Sequence, residues 1–178
     1  MTNIDGWFDY ADFYKYIVDQ FDNAIFVEVG TWKGKSIKYL AEQVKARNKN
    51  ILIYGVDTFE GTKGEHDDDI DVKNKTLLNA YLKNIEPVQE YIETIRGYSE
   101  DASRMFEDES LDFVFIDADH HYESVKKDIE LWYPKIKVGG IISGHDYAYG
   151  GDCGVIPAVD EKFSSINRMC ATVWYVKK

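Results

Sequence analysis

Short apolar runs alternate with amphipathic stretches along nearly the whole chain. Residues 10–21, YADFYKYIVDQF, carry apolar side chains three and four apart and predict an opening helix. Residues 24–30, AIFVEVG, form a β-branched and aromatic run that stops at a glycine, as a buried strand does. The two patterns then recur. Helical spacing runs over 35–47, 72–85, 100–108, 122–136 and 155–166, and strand-like runs cover 51–57, 91–97, 111–119, 139–147 and 171–178. Pro134 requires the helix at 122–136 to yield near it, and Pro157 suits the first turn of the last helix. The polar run 61–71, GTKGEHDDDID, reads as a loop, either a solvated acidic turn or a cover over a site.

Strands alternating with helices pair in parallel and build a layered α/β domain. In such a sheet ligands bind beyond the carboxyl ends of the strands, near the point where strand order reverses. The residues that follow each strand are therefore the candidates for chemistry: Glu28 and Gly30, Asp57, Ser99, Asp117 to His120, and His145 with Asp146.

Composition narrows the function classes. The 178 residues suit one domain, 1–178, with residues 1–23 as an N-terminal helical extension. Apolar content of 44%, with 15% aromatic, excludes disorder. The formal charge of -11, from 32 acidic and 21 basic residues with no basic cluster, disfavours a nucleic-acid partner. Cys153 and Cys170 have no paired-motif spacing, which argues against a disulfide scaffold or a cysteine-rich zinc site. The N-terminal residues show no basic region ahead of an apolar core, and no run of about 18 apolar residues occurs. A soluble cytoplasmic protein without a membrane partner is the expectation.

The stretch EVGTWKGKS, residues 28–36, has the Gly-Lys-Ser of a phosphate-binding loop. The spacing does not fit. That motif needs four residues between its glycines, whereas three separate Gly30 from Gly34, and Val29 stands where the first glycine belongs. Glu28 and Asp57 at the strand ends would also repel a triphosphate.

The pattern E-x-G-x-x-x-G-x-S instead resembles the first motif of class I S-adenosylmethionine-dependent methyltransferases. IYGVDTFEGT resembles their second strand with its ribose-binding acid. Residues 110–147, SLDFVFIDADHHYESVKKDIELWYPKIKVGGIISGHDY, are similar to the fourth strand, helix and fifth strand of a subgroup that methylates hydroxyls of sugars and small molecules, often with a metal. GVIPAVDEKF and VWYVKK resemble its C-terminal segments, so the likeness spans about residues 24–178. It implies a Rossmann-like three-layer sandwich with a mostly parallel sheet. Only one strand's worth of chain follows residue 166, so the C-terminal hairpin is expected to be shortened.

The resemblance also implies a site. Glu28 would hold the cofactor's ammonium, with Gly30, Thr31, Gly34 and Ser36 completing the first loop. Glycines at 30 and 34 would let the backbone approach the methionine part. Asp57 would take the ribose hydroxyls, and Thr58, Phe59 and Ser99 would flank the adenine. Ser99 could equally cap the following helix. Asp117 would serve the cofactor, the catalysis and a metal. His120 is the candidate general base for a hydroxyl, its alternative being a helix cap. The metal set implied is Asp117, His145 and Asp146, holding Mg²⁺ or Mn²⁺. His145 departs from the usual oxygen ligand, leaving open Mn²⁺ or a softer ion, or a metal-free site in which it is an orienting or acid/base residue. Tyr147 and Tyr149 are candidates for an acceptor pocket. Phe13, Tyr14 and Ile17 read as core or as contacts of a homodimer. Two alternatives stay open: a catechol-type or phenol-type O-methyltransferase, and a non-catalytic domain that keeps the cofactor.

Overall fold

The computed structural model describes residues 4–148 and 154–178; Tyr149 and Cys153 lie outside the described residues. Strand β1 (Asn23–Val29) is the centre of the sheet, paired in parallel with β2 (Asn50–Asp57) on one side and β4 (Leu111–Ile116) on the other. Strand β3 (Ile92–Arg96) adds beside β2, and β5 (Ile136–Gly144) beside β4. The hairpin of β6 (Asn167–Met169) and β7 (Val173–Lys177) closes the far edge antiparallel, in the order β3-β2-β1-β4-β5-β7-β6. The sheet is thus Rossmann-like, and its order reverses between β1 and β4. The shortened hairpin is present: β6 has three residues, and Cys170 and Ala171 turn with φ of 54° and 61° into β7.

Strand alternation sorts side chains onto two layers. Phe26, Phe113 and Phe115 meet helices α1 (Ala11–Gln20) and α2 (Lys35–Ala46), where Phe13, Tyr14, Ile17 and Leu40 are buried. The α1 aromatics are therefore core. Val27, Val29, Val114 and Ile116 face the other way, toward Val125, Ile129 and Trp132 of α6 (Tyr122–Trp132) and Val155 and Val159 of α7 (Val155–Lys162).

Helices α6 and α7 stop at Trp132 and Lys162, short of the expected 136 and 166, and two further helices differ more from the pattern-based expectation. The stretch 72–85 divides into α3 (Ile70–Lys73) and α4 (Leu77–Ile85), separated at Lys75 with φ 56°. Asp69 caps α3 by accepting the Asp71 and Val72 amides, so an acid drawn from the polar run starts the helix earlier. Helix α5 is short, Ser99–Ser103, and Tyr98 rather than Ser99 occupies its N-cap. Among the described residues no helix is long and apolar enough to cross a membrane.

The same alternation decides the place of Glu28. It shares parity with Phe26, so it enters the aromatic layer and is fully buried. Its Oε1 accepts the Ser36 hydroxyl at 2.5 Å and its Oε2 the Tyr14 hydroxyl at 2.7 Å. Burial pushes the carboxyl from 4.5 up to about 8, against the lowering effect of those hydrogen bonds. Between about pH 4.5 and 8 the folded protein keeps a proton that the unfolded chain has released, so this group's contribution to stability falls as pH rises through that window. Glu28→Gln removes the titration. Its stability relative to the parent should increase from pH 5 to pH 8 by on the order of 3 kcal/mol, read from urea midpoints. Parallel pH profiles for the two proteins would show that Glu28 titrates normally.

Candidate active site

Register aligns the strand ends. Val29 pairs with Val56 and Ile116, and Ile116 with Gly144. One step further stand Asp57, Gly30, Asp117 and His145, in a row across the switch point. The Asp117 amide donates to the Val29 carbonyl at 2.8 Å, and the Gly30 amide to Val56 at 2.9 Å. A Cβ on Gly30 would sit 2.0 Å from the Asp117 carbonyl oxygen, so only glycine lets β4 leave the sheet so close to β1.

A cavity of about 470 Å³ lies over these ends, of the size that holds a small-molecule cofactor. Gly30, Asp57, Thr58, Ser99 and Asp117, all candidates from the sequence, line it. The Asp57 carboxylate organises the loop after β1. Its Oδ2 accepts the Thr31 and Trp32 amides at 2.9 and 2.8 Å, and its Oδ1 the Phe59 amide at 2.7 Å. Burial raises its pKa, and these three bonds only partly offset the rise.

Glu28, Thr31, Gly34, Ser36 and Phe59 do not line the cavity. Glu28 and Ser36 satisfy each other in the core, which places the expected ammonium partner behind the loop rather than in it. Gly34 starts α2 with φ +81°, and its missing Cβ makes room for Tyr81 and Ile85, not for a ligand. Phe59 packs on the Tyr81 ring at 4.9 Å. Ser99, placed first in α5, donates its hydroxyl to Asp128 at 2.5 Å and caps nothing.

The acidic run is built into the wall. Gly61, Thr62, Lys63 and His66 line the cavity, and the His66 ring stacks on Trp32 with centroids 3.9 Å apart. Below the stack the buried Lys33 ammonium joins Asp69 at 2.6 Å and Asp71 at 3.1 Å. The segment is therefore a wall held by a cation rather than a freely solvated turn. Trp32, His66 and Lys33 escaped the sequence reading. A lysine and a tryptophan between two glycines, opposite a run of acids, were the available signal.

At the β4 and β5 end the cavity meets a cluster of acids and imidazoles. His120 Nε2 lies 3.0 Å from Asp146 Oδ2 and 3.9 Å from Asp117 Oδ1. His145 Nδ1 is 3.0 Å from Asp146 and 3.5 Å from Asp117, while its Nε2 is 2.9 Å from Asp9. The Tyr10 hydroxyl donates to Asp117 Oδ2 at 2.8 Å. The N-terminal arm thus finishes the site through Asp9 and Tyr10, a contribution that no local pattern announces.

Charge in the cluster is mutually adjusted. Hydrogen bonding to Asp117 and Asp146 raises His120 to about 11, burial notwithstanding. Burial lowers His145, but the same two carboxylates carry it to about 10. Burial pushes Asp117 and Asp146 up, and the two imidazoles more than offset it, holding both below the usual carboxylate range.

Ligand atoms of Asp117, His120 and Asp146 lie within 4.8 Å of one another, so two carboxylates and one imidazole converge as a cation site requires. His120 thus stands beside the two acids expected from sequence, while His145 is buried, with Nε2 on Asp9 and Nδ1 toward Asp117 and Asp146. The mixed nitrogen and oxygen donors suit Mn²⁺ or a similar ion better than Mg²⁺. His120 is not a helix cap, since His121 occupies the N-cap of α6 without a side-chain cap bond. Tyr147, a candidate for the acceptor pocket, is buried in the second layer and donates to Asp160 at 2.6 Å.

Comparison with known proteins agrees with this fold. A family model described as a methyltransferase domain matches residues 27–147. An uncharacterized protein of Acanthamoeba polyphaga mimivirus is 28% identical over 148 residues, covering 82% of this chain and 62% of that protein. The chain therefore spans under two thirds of that relative. Among solved structures, the O-methyltransferase NovP superposes with TM-score 0.68 at 20% identity, over 96% of this chain and 79% of that one. An O-methyltransferase from Bacillus cereus in complex with SAH gives TM-score 0.61 at 15% identity, covering 99% and 84%. CalS11, a TDP-rhamnose 3'-O-methyltransferase of calicheamicin biosynthesis, gives 0.60 at 15%, covering 94% and 76%.

Proposed function

The chain belongs to this methyltransferase-domain family, and from that premise we propose that it transfers a methyl group from S-adenosylmethionine to a hydroxyl oxygen on a sugar or a glycan-bearing small molecule. One observation carries the reading. Asp117 belongs both to the wall of the cofactor-sized cavity and to the Asp117–His120–Asp146 cluster, so donor and acceptor sites adjoin.

In the reaction a lone pair of the acceptor oxygen attacks the methyl carbon, and the carbon–sulfur bond breaks with its electrons going to sulfur. The products are the methyl ether and S-adenosylhomocysteine; in the metal-free site the hydroxyl proton passes to His120, which must first give up the proton that Asp117 and Asp146 hold on it. Alignment supplies most of the acceleration, because cavity and cluster hold both partners at one strand end. Asp57 keeps the loop around the cofactor in shape through three backbone amides. Asp9 and Tyr10 hold His145 and Asp117 in place.

A divalent ion held by Asp117, His120 and Asp146 would supply Lewis acidity to an acceptor hydroxyl and neutralise the carboxylates that keep the imidazoles protonated. The sugar class is supported by the resemblance of residues 110–147 to sugar O-methyltransferases and by the likeness to CalS11. The acidic net charge and paucity of cysteines support a cytoplasmic location.

Calorimetry with S-adenosylhomocysteine should show binding below millimolar concentration. Asp57→Ala should abolish it by releasing the loop amides. Lys35→Ala should leave it unchanged, because the Lys35 ammonium bonds the Gly6 carbonyl at 2.6 Å and Lys35 does not line the cavity. No heat with the parent protein would end the proposal. His120→Ala should slow methyl transfer from labelled S-adenosylmethionine by about 10²-fold or more at unaltered S-adenosylhomocysteine affinity. The acceptors to compare are nucleotide-linked deoxysugars and catechol; turnover of catechol alone would remove the sugar assignment.

A further inference from the structure

Glu65 belongs to the polar run 61–71, yet it does not share that run's place in the cavity wall. Gly61, Thr62, Lys63 and His66 line the cavity, whereas Glu65 turns to the cluster beyond it. Its Oε1 lies 3.6 Å from His120 Nδ1. The other ring nitrogen, Nε2, faces Asp146 at 3.0 Å and Asp117 at 3.9 Å. The imidazole is therefore held between one acid on the wall and two at the strand ends. The adjacent His121 turns elsewhere, its Nδ1 meeting Asp119 at 2.5 Å.

The backbone that carries Glu65 is fixed at several points. Its amide and that of His66 both donate to the Thr62 carbonyl, at 3.2 and 2.9 Å. The Thr62 amide donates to His66 Nδ1 at 2.9 Å, and the ring so oriented stacks on Trp32. Further along the run, Asp69 and Asp71 meet the Lys33 ammonium at 2.6 and 3.1 Å. Asp5 of the N-terminal arm approaches the same ammonium at 3.7 Å. Lys33 is buried, so the loop after β1 ties the wall down through a cation that salt screens little.

A histidine that ligates a metal through one nitrogen ordinarily gives the N–H of the other to a carboxylate, which sets its tautomer and ring angle. Glu65 stands where that carboxylate is required. We propose that Glu65 is a positioning residue that holds His120 by Nδ1–H and so presents Nε2 to a divalent cation shared with Asp117 and Asp146. Lys33 delivers it by keeping the wall in place. At 3.6 Å the contact is ionic, and it closes to a hydrogen bond once the cation fixes Nε2. The inference rests on the divalent-ion reading of the cluster and is independent of the methyl donor and acceptor.

Positioning and bare charge lead to different outcomes. Glutamine at residue 65 has no charge but keeps an oxygen that accepts from Nδ1–H. Charge alone would make it no better than alanine; positioning makes it a substitute. Loss of the Lys33 ammonium removes a positive charge and leaves Asp69 and Asp71 bare, so charge alone would tighten cation binding. Positioning demands the reverse, because the released wall no longer brings Glu65 to His120.

The test is calorimetric titration of the full, metal-stripped chain with Mn²⁺, without cofactor or acceptor. The parent should bind Mn²⁺, and Glu65→Ala should bind it about tenfold or more weakly. Glu65→Gln should restore most of that loss, and Lys33→Met should bind more weakly than the parent. Parental affinity in Glu65→Ala overturns the proposal, as does Glu65→Gln binding no better than Glu65→Ala. Lys33→Met binding as tightly as the parent, or more tightly, overturns delivery by the wall. The Glu65 variants change an exposed side chain and decide the positioning role even where Lys33→Met does not fold. A parent that binds no Mn²⁺ removes the ion reading and this inference together, whereas the cofactor reading stands or falls separately on S-adenosylhomocysteine binding.

Discussion

The close approach of Gly30 to the backbone of Asp117 and Ala118 is the contact on which the site depends. A single methyl group at residue 30 would meet the Asp117 carbonyl at 2.0 Å and force the ends of β1 and β4 apart. Because they stay together, the loop after β1 and the loop after β4 flank one cavity. The Asp117 carboxylate then reaches both that cavity and the histidines beyond it. Widening this junction would part the cavity from the cluster of acids and imidazoles.

Electrostatics gives the site its second constraint. Asp9, Asp117, Asp146 and Glu65 surround two imidazoles, in a chain already strongly acidic. The carboxylates raise both imidazoles, and each of His120 and His145 meets two or more of them. Such a cluster favours cations. The same preference explains why Lys33 is drawn into the acidic wall, where its buried ammonium would otherwise be costly.

Much of the fold was legible because it rests on local period. Alternating strands and helices gave the layered sheet, and Gly30, Asp57, Ser99 and Asp117 were placed at the cavity by the rule that ligands sit beyond strand ends. Glu28 shows where motif spacing misleads. Counting outward from Phe26 puts it in the aromatic layer, a parity argument available in the sequence that the motif outweighed. Asp128 was equally available as an acid on the apolar stripe of a helix. Asp9 and Tyr10 carried no such signal, since more than a hundred residues separate Tyr10 from Asp117.

What the sequence determined alone is the architecture and the strand ends where chemistry belongs, because hydrophobic period and turn residues act over a few positions. Only the tertiary structure decided which acids face a ligand and which face the core. It also brought His120 beside Asp117 and Asp146 and set an N-terminal arm against the cluster. Those outcomes depend on register between strands and on burial, and both arise from contacts between segments that are distant along the chain.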